Sequence, residues 1–372
     1  NYSVTTTIAD EADTAPDVDA TPVNSTFTEG VTASSDLFNS VVVDTGASSQ
    51  TVEALQFTVS GLQDGNKEVV VIDGKNIALT NGNSGTTTTN GYAYSISVSG
   101  GTATVTLTTT GASEAQAESL INNLAYKNTK LDNPTAGARV FTITSITDSG
   151  ASGNVTTTGL PGTATVTVEA VNDAPVVLEP TSSFTALDTN PINIHGQGFS
   201  VADVDAGNTV ATMTLQALSQ GAGANGTITV AAGNTGVSVS GSPGSTITVT
   251  GTMVQLNNLL TGSGTGSITY QTTDFTENAD FIVTVSDAGG TGTGGALQDS
   301  ESTTIVRTTS SAPVISDITD TFTYNEGDGA VNIDQGIATS IVDSDSADFN
   351  GGRLTITPSA NVTAEDRFAI DQ

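Results

Sequence analysis

The stretch Ala164-Thr165-Val166-Thr167-Val168 alternates apolar residues with threonine. Similar stretches are Ala103-Thr104-Val105-Thr106-Leu107 and Phe281-Ile282-Val283-Thr284-Val285. Because successive side chains of a strand point to opposite faces of its sheet, a period of two predicts strands with one buried face and one face in water. Glycine and asparagine, which favour turns, lie between these stretches. The sequence therefore predicts an all-β protein.

The composition excludes several classes of function. The chain has 372 residues, with 8 Lys or Arg and 39 Asp or Glu, and its formal net charge is −31. This charge repels nucleic-acid phosphate and anionic lipid, and it attracts divalent cations. The absence of Cys excludes thiol catalysis, cysteine-ligated zinc and disulfides. Because of the net charge we expect no nucleic-acid partner. No apolar run approaches the roughly 18 residues that cross a bilayer, so we also expect no transmembrane segment.

Three segments begin alike and indicate internal repeats. They are Asp19-Ala20-Thr21-Pro22-Val23, Asn172-Asp173-Ala174-Pro175-Val176 and Ser311-Ala312-Pro313-Val314. Each is followed by a short strand-like stretch, an acidic step and an apolar strand. We therefore predict complete β-sandwich repeats at residues 17–171 and 172–308 and a partial repeat at 309–372. Residues 1–16 are expected to be the tail or linker of a preceding repeat, and the chain is expected to be a segment of a longer protein.

One short helix is predicted in each complete repeat. Ser113 begins the first one, with Gln116 three residues later as in a capping box. Ala117, Leu120 and Ile121 then share one face. Its counterpart spans residues 252–260. The remaining sequence is typical of short strands and turns, which favours a β-sandwich.

The acidic residues at the repeat boundary predict a cation site. Asn172 and Asp173 lie in the linker, and Asp203 and Asp205 flank Val204 in the following repeat. Ca²⁺ prefers six to eight hard oxygens from carboxylates, amides and carbonyls. Since this combination recurs near repeat boundaries, we predict that it binds Ca²⁺.

The linker form N-D-x-P of Asn172–Pro175 and the later form A-D-x-D-x-G-N of Ala202–Asn208 resemble cadherin repeats. They are most similar to the bacterial cadherin-like repeats of giant calcium-dependent surface adhesins of the RTX type. This resemblance covers most of the chain from about residue 17. It implies tandem Ig- or cadherin-like β-sandwich domains in an extended array, joined by rigid linkers that contain Ca²⁺.

The resemblance also implies a set of metal ligands at each boundary. Between the first two repeats these are Glu29, Asp132, Asn172, Asp173, Asp203 and Asp205. At the next boundary they are Asp188, Asp274, Glu277, Asp343 and Asp345. There the pattern is incomplete, because Ser310 and Ser311 stand where Asn-Asp is expected. Before the first repeat the set is Asp17, Asp19 and a single Asp44.

Three functions remain open on the sequence alone. The first is a non-catalytic stalk of a bacterial adhesin, extracellular on the cell surface or secreted, that serves cell adhesion or biofilm. The second is a self-associating extracellular filament or surface layer, in which other copies of the chain are partners beside the neighbouring repeats. The third is an accessory module of a secreted polysaccharide-active enzyme. We expect no catalytic activity, since His195 has no catalytic motif near it and no Trp is present to bind sugar.

Overall fold

The fold is all-β in a computed structural model of the chain. The structure describes residues 14–47, 49–150, 155–290, 292–316, 321, 323–332, 339–344, 353–357 and 363. Strands make up 48% and helices 6% of it, which confirms the predicted fold class of tandem β-sandwiches.

The first unit contains fourteen strands among its described residues, one turn of 3-10 helix and one α-helix. The strands are β1 (Asp17–Pro22), β2 (Ser25–Thr28), β3 (Ser35–Asp36), β4 (Phe38–Asp44), β5 (Val52–Ser60), β6 (Glu68–Ile72), β7 (Lys75–Ala78), β8 (Ser84–Thr86), β9 (Ala93–Ser99), β10 (Thr102–Ala112), β11 (Ala125–Asn128), β12 (Gly137–Asp148), β13 (Thr156–Thr158) and β14 (Thr163–Glu169). The 3-10 turn is Gly65–Lys67, and α1 is Glu114–Asn122. The larger sheet has the order β2-β14-β12-β5-β10-β9-β8, with β13 on β12, and the smaller sheet has the order β3-β11-β6-β7.

The second unit repeats this arrangement. Its elements are β15 (Val176–Leu178), β16 (Phe184–Leu187), β17 (Ile192–Asn193), β18 (Ser200–Ala202), β19 (Ala211–Ser219), β20 (Thr227–Ala231), β21 (Ser238–Ser240), β22 (Thr246–Gly251), α2 (Met253–Leu260), β23 (Ser267–Gln271), β24 (Ala279–Ser286) and β25 (Gln298–Thr308). The larger sheet is β16-β25-β24-β19-β22-β21 and the smaller one is β17-β23-β20. In both units the first strand of the larger sheet runs parallel to the last, β2 to β14 and β16 to β25. The sheets therefore confirm the internal repeat.

Strand register identifies the equivalent positions of the repeats. A two-stranded pair opens each unit: β1 with β4, β15 with β18, and β26 (Val314–Ser316) with β27 (Ser340–Val342). The matching cross-strand pairs are Val18 with Val43, Val177 with Val201, and Ile315 with Ile341. The proline two residues before each first partner is Pro16, Pro175 or Pro313. The equivalence that we inferred for Pro22 is therefore wrong, because Pro22 lies at the far end of β1.

Buried apolar side chains form two separate clusters in the described residues, one between Val18 and Val168 and one between Val177 and Ile305. Each contains a chain of aromatic contacts, which runs through Tyr126 in the first unit and Phe199 in the second. Full burial of one such large side chain contributes about 1.5–3 kcal/mol. The unit ends at 171 and 308 stay a prediction.

The helices have the predicted capping boxes and fix the strand that precedes the acidic step. The side chains of Ser113 and Gln116, and those of Thr252 and Gln255, exchange hydrogen bonds with the backbone. Val43 N donates to Glu118 Oε1 of α1 at 3.2 Å. In the same way Val201 N donates to Asn257 Oδ1 of α2 at 2.9 Å.

Candidate interdomain metal centre

The linker between the units is docked on the second unit. Asn172 N donates to Thr293 O at 2.9 Å, and Thr293 N donates to Ala170 O at 2.8 Å. Asn172 Nδ2 donates to Asp287 Oδ2 at 2.6 Å and to Gly295 O at 3.2 Å. Both Asn172 and Asp287 are buried. Asp287 directly follows β24, so the linker amide is tied to the end of a strand in the second unit's larger sheet.

Glu29 attaches the first unit to the same linker. The parallel pairing of β2 with β14 brings Glu29 beside Glu169, and Glu29 N donates to Glu169 O at 2.9 Å. Its carboxylate then accepts from Val171 N at 2.7 Å through Oε2 and from Asn133 N through Oε1. One side chain thus joins the end of the last strand to the loop between β11 and β12.

That loop carries Asp132 and makes a direct contact between the units. Asp132 is exposed, and the next residue, Asn133, has a φ of 51°, a left-handed conformation that asparagine tolerates better than most residues. Asn133 Nδ2 donates to Val204 O of the second unit at 3.2 Å. Asp132 is therefore held at the boundary with the second unit.

Asp203 and Asp205 follow β18 and form the second unit's side of the boundary. Asp203 Oδ1 accepts from the backbone N of Asp205 and of Ala206, each at 3.1 Å. Asp205 is buried, and its Oδ2 accepts from Asp173 N of the linker at 3.0 Å. The structure thus places the predicted Asp173, Asp203 and Asp205 in one hydrogen-bonded group.

The crowding of these carboxylates is visible in their pKa values. Burial, followed by the hydrogen bond and the charge of the Asp205 side chain, raises the pKa of Asp203 to about 6. Burial raises the pKa of Asp173 as well, and the charges of Asp205 and Asp132 add to this effect. Burial is the larger cause of both shifts, and the nearby negative charge adds to it.

The oxygen atoms at the boundary are of the chemical types that a hard divalent cation prefers, although their present arrangement does not enclose one. The buried Asn172 Oδ1 has no hydrogen-bond partner. A Cβ built on Gly290, whose φ is +41°, would lie 2.1 Å from Asn172 Oδ1 and 3.1 Å from Asp205 Oδ1, so only glycine leaves this space open to both oxygens. These oxygen atoms belong to carboxylates and an amide, the groups that Ca²⁺ prefers as ligands. As they stand, no three acidic or His side chains in the described ranges converge tightly enough to hold a metal.

The next boundary differs from the predicted set. Asp188 accepts from Ser310 N at 2.8 Å and from Ser310 Oγ at 2.7 Å, and Asp188 N donates to Thr308 O. These are the bonds that Glu29 makes to Val171 and Glu169, so Ser310 occupies the place of Val171 and not that of Asn172. Four residues separate Thr308 from Pro313, whereas five separate Glu169 from Pro175. This linker is thus one residue shorter.

The other residues predicted there are spread over different places. Asp274 closes a turn inside the second unit: it accepts from the N and Oγ1 of Thr276 and from Ala224 N, and these bonds lower its pKa to about 2. The Glu277 carboxylate lies against Gly221 of the same unit. Asp343 follows β27, and Asp345 lies outside the described residues. The structure thus ties Asp274 and Glu277 to loops of their own unit.

The predicted site before the first unit lacks its central carboxylates. Asp17 and Asp44 face each other across the β1–β4 pair and are exposed, as is Asp19. From the pairing of Val43, the counterparts of Asp203 and Asp205 are Thr45 and Ala47. The single Asp44 is therefore not equivalent to either acid of the second unit.

Sequence reasoning missed Asn133, Asp287 and Gly290. A signal for Asp287 was present, because Asp148-Ser149-Gly150 and Asp287-Ala288-Gly289 end matching stretches of the two repeats. In both, the buried Asp accepts from the glycine N two residues later.

His195 Nδ1 lies 3.0 Å from the backbone N and O of Ile268, which ties the ring to β23. In the part of the chain that the structure describes, no helix is long and apolar enough to cross a membrane.

Comparison with known proteins adds only distant likenesses. No family model and no curated protein matches the chain. A solved structure of human mucin-like protocadherin EC1-2 is 12% identical, with 78% of this chain and 98% of that chain covered and a TM-score of 0.28. Mouse cadherin-23 EC22-24 is 12% identical, with 79% and 67% covered and a TM-score of 0.27. The titin domains Z1Z2 in complex with telethonin are 14% identical, with 81% and 100% covered and a TM-score of 0.24. Likenesses at this level carry no argument about function.

The raised pKa of Asp203 predicts how the metal-free second unit responds to pH. The folded state holds this proton more tightly than the unfolded state does, so the resulting stability is present below the unfolded pKa near 3.9 and is lost as the pH rises through about 6. In chelator, the melting temperature of the second unit should therefore fall between about pH 4 and pH 7. Asp203→Asn should flatten this dependence. An unchanged slope in that variant would show that Asp203 titrates normally.

Proposed function

We propose that this chain is a non-catalytic run of cadherin-like repeats in the extracellular stalk of a bacterial adhesion protein, and that Ca²⁺ stiffens its linkers. The observation that carries the proposal is the oxygen cluster at the first boundary. It combines Asp173, Asp203 and Asp205 with the unpartnered Asn172 Oδ1 at a linker that joins two sandwiches. A net charge of −31 on a β-rich chain without Cys suits an extracellular protein that works in millimolar calcium.

The chain's own residues prepare this linker before any metal binds. Glu29 holds Val171 from the first unit, and Asp287 holds Asn172 from the second. Asp205 holds Asp173 N, so each linker residue from 171 to 173 is fixed by an acidic side chain. A bound Ca²⁺ would supply the positive charge that lets these carboxylates stay ionised at close range.

Charge repulsion explains why such a linker would respond to calcium. The raised pKa values of Asp173 and Asp203 show that ionisation of the cluster is opposed in the metal-free chain. Extracellular modules bind Ca²⁺ with dissociation constants of about 10⁻⁴–10⁻³ M, so millimolar calcium contributes about 0.4–1.4 kcal/mol per site. This amount is too small to decide whether a sandwich folds. Its main effect is therefore expected on the geometry of the linker.

A calorimetric titration tests the proposed site. The whole chain should bind Ca²⁺ in the range of about 10⁻⁴–10⁻³ M, and the double substitution Asp203→Asn, Asp205→Asn should remove at least one binding equivalent. The matched control is Asp17→Asn, Asp44→Asn, a facing pair on the equivalent strands of the first unit, which should leave the isotherm unchanged. Equal isotherms for the wild type and the Asp203, Asp205 variant would rule out the site.

A further inference from the structure

The loop between β11 and β12 is longer in the first unit than its counterpart in the second. Tyr126 and Tyr270 occupy the same buried position on the smaller sheet, and Phe141 and Phe281 the same position on the larger one. Fourteen residues separate Tyr126 from Phe141, whereas ten separate Tyr270 from Phe281. The loop itself, residues 129–136, is one residue longer than its counterpart at 272–278, and the rest of the extra length lies in the ends of β11 and β12. We name residues 129–136 the strut loop.

The base of the strut loop is clamped by a buried acid. Asp64 Oδ2 accepts from Asn128 Nδ2 at 2.7 Å and from Thr135 N at 2.9 Å, and its Oδ1 accepts from Thr135 Oγ1 at 2.7 Å. Burial opposes the ionisation of Asp64, but the bonds from Thr135 and Asn128 outweigh it and lower its pKa. Both ends of the loop are thus fixed to one ionised carboxylate.

A buried arginine completes the clamp from the other side. Arg139 Nη2 donates to Thr135 O at 2.9 Å, and Nη1 donates to Gly137 O at 3.1 Å. The guanidinium is itself fixed by Glu68 Oε1, at 2.8 Å from Nε and 2.7 Å from Nη2. The side chains of Arg139 and Glu68 are fully buried, so the orientation of the clamp is set by the core of the first unit.

The tip of the strut loop points to the second unit. Asn133 N donates to Glu29, and Asn133 Nδ2 donates to Val204 O, between the two aspartates of the second unit. The corresponding end of the second unit is built differently. Its buried Arg307 binds Tyr270 and the carbonyl groups of Ala224 and Asn225, and its shorter loop forms a turn at Asp274.

We propose that the strut loop, clamped by Asp64 and Arg139, is an interdomain strut that restricts the second unit relative to the first whether or not the linker binds metal. The contact uses side-chain and backbone groups that are all in place without a cation. Domains that share a small interface otherwise move relative to one another. One hydrogen bond across the boundary changes the population of the docked arrangement about two- to tenfold.

Spin-label distances test this proposal on the whole chain. The chain has no Cys, so Ser97→Cys and Ser238→Cys, both at exposed strand positions, give one unique label on each unit. Pulsed electron paramagnetic resonance in chelator should give the wild type a narrower distance distribution than a variant without the strut contact, and calcium should narrow the wild-type distribution further. Asn133→Gly keeps the positive φ without strain but removes the side-chain donor, and it should broaden the distribution. The control is Asn123→Gly at the exposed end of α1, which should leave the distance distribution as wide as that of the wild type.

A second variant tests the loop as a whole, and calcium separates this proposal from the previous one. Deletion of residues 130–133 leaves ten residues between Tyr126 and Phe141, as between Tyr270 and Phe281, and should broaden the distribution further. If that variant fails to fold, Asn133→Gly decides. Equal widths for Asn133→Gly and the wild type in chelator would overturn the strut. A narrow wild-type distribution that calcium leaves unchanged would count against the calcium linker but support the strut.

Discussion

Replacement of Arg139 by methionine is expected to destabilise the first unit by about 3–5 kcal/mol, because loss of one partner leaves buried charge uncompensated. Arg139 pairs with Glu68 at 2.7 Å and lies 3.6 Å from Asp64. Glu68 Oε2 already has no hydrogen-bond partner, so the carboxylate depends on Arg139 for its positive neighbour. The measurement is urea unfolding of the chain, followed through the transition of the first unit.

Two further variants make this result specific. Lys130 lies 3.4 Å from Asp64, but its side chain is 39% exposed, so Lys130→Met should cost no more than about 1 kcal/mol. Adding Glu68→Gln to Arg139→Met should recover part of the loss, since the orphaned charge is then absent. A loss below about 1 kcal/mol for Arg139→Met alone would show that water or a rearranged loop replaces the guanidinium.

The second large effect is expected in the linker when Asp203 and Asp205 are both changed to alanine. In the wild type, millimolar calcium should slow proteolytic cleavage between residues 170 and 176 about two- to tenfold, since cleavage follows the population of the open linker. The double variant should be cleaved at the same rate with calcium and with chelator. It has also lost the acceptor that holds Asp173 N.

The Asp17→Asn, Asp44→Asn pair is the control for this experiment as well. Both residues lie on exposed positions of the β1–β4 pair, away from the linker between the units. Their loss should leave calcium protection intact. Calcium protection that survives in the Asp203, Asp205 variant would show that these two aspartates are solvated turn residues.

The strands and helices were predictable because each depends on local signals. Alternation in Ala164-Thr165-Val166-Thr167-Val168 produces β14 with its apolar side chains buried, and the spacing of Ser113 and Gln116 produces the capping box of α1. The equivalence of the repeats was less accessible. The pairing of Val18 with Val43 shows that Pro16, and not Pro22, is the counterpart of Pro175, and the Ala-Pro dipeptides at 15–16 and 174–175 were a signal for this.

The candidate site was predictable where its residues are close in sequence and not where loops differ in length. Asp203, Asp205 and the linker residues follow from one short pattern, and the structure brings them together. Asp132 and Asp274 look alike in order along the chain. However, the loop of Asp132 is longer, so one acid faces the boundary and the other closes a turn. The role of Asn133 depends on a contact between units, and that of Gly290 on contacts with the linker and Asp205, none of which a local pattern encodes.

The central claim is that calcium stiffens the linker between the two sandwiches. Small-angle X-ray scattering of residues 17–308, which contain both hydrophobic clusters, tests it most directly. We predict that the distribution of overall dimensions of the wild type is narrower in calcium than in chelator. The Asp203→Ala, Asp205→Ala variant should give the same distribution under both conditions. Identical scattering curves for the wild type in calcium and in chelator would contradict the calcium-stiffened linker.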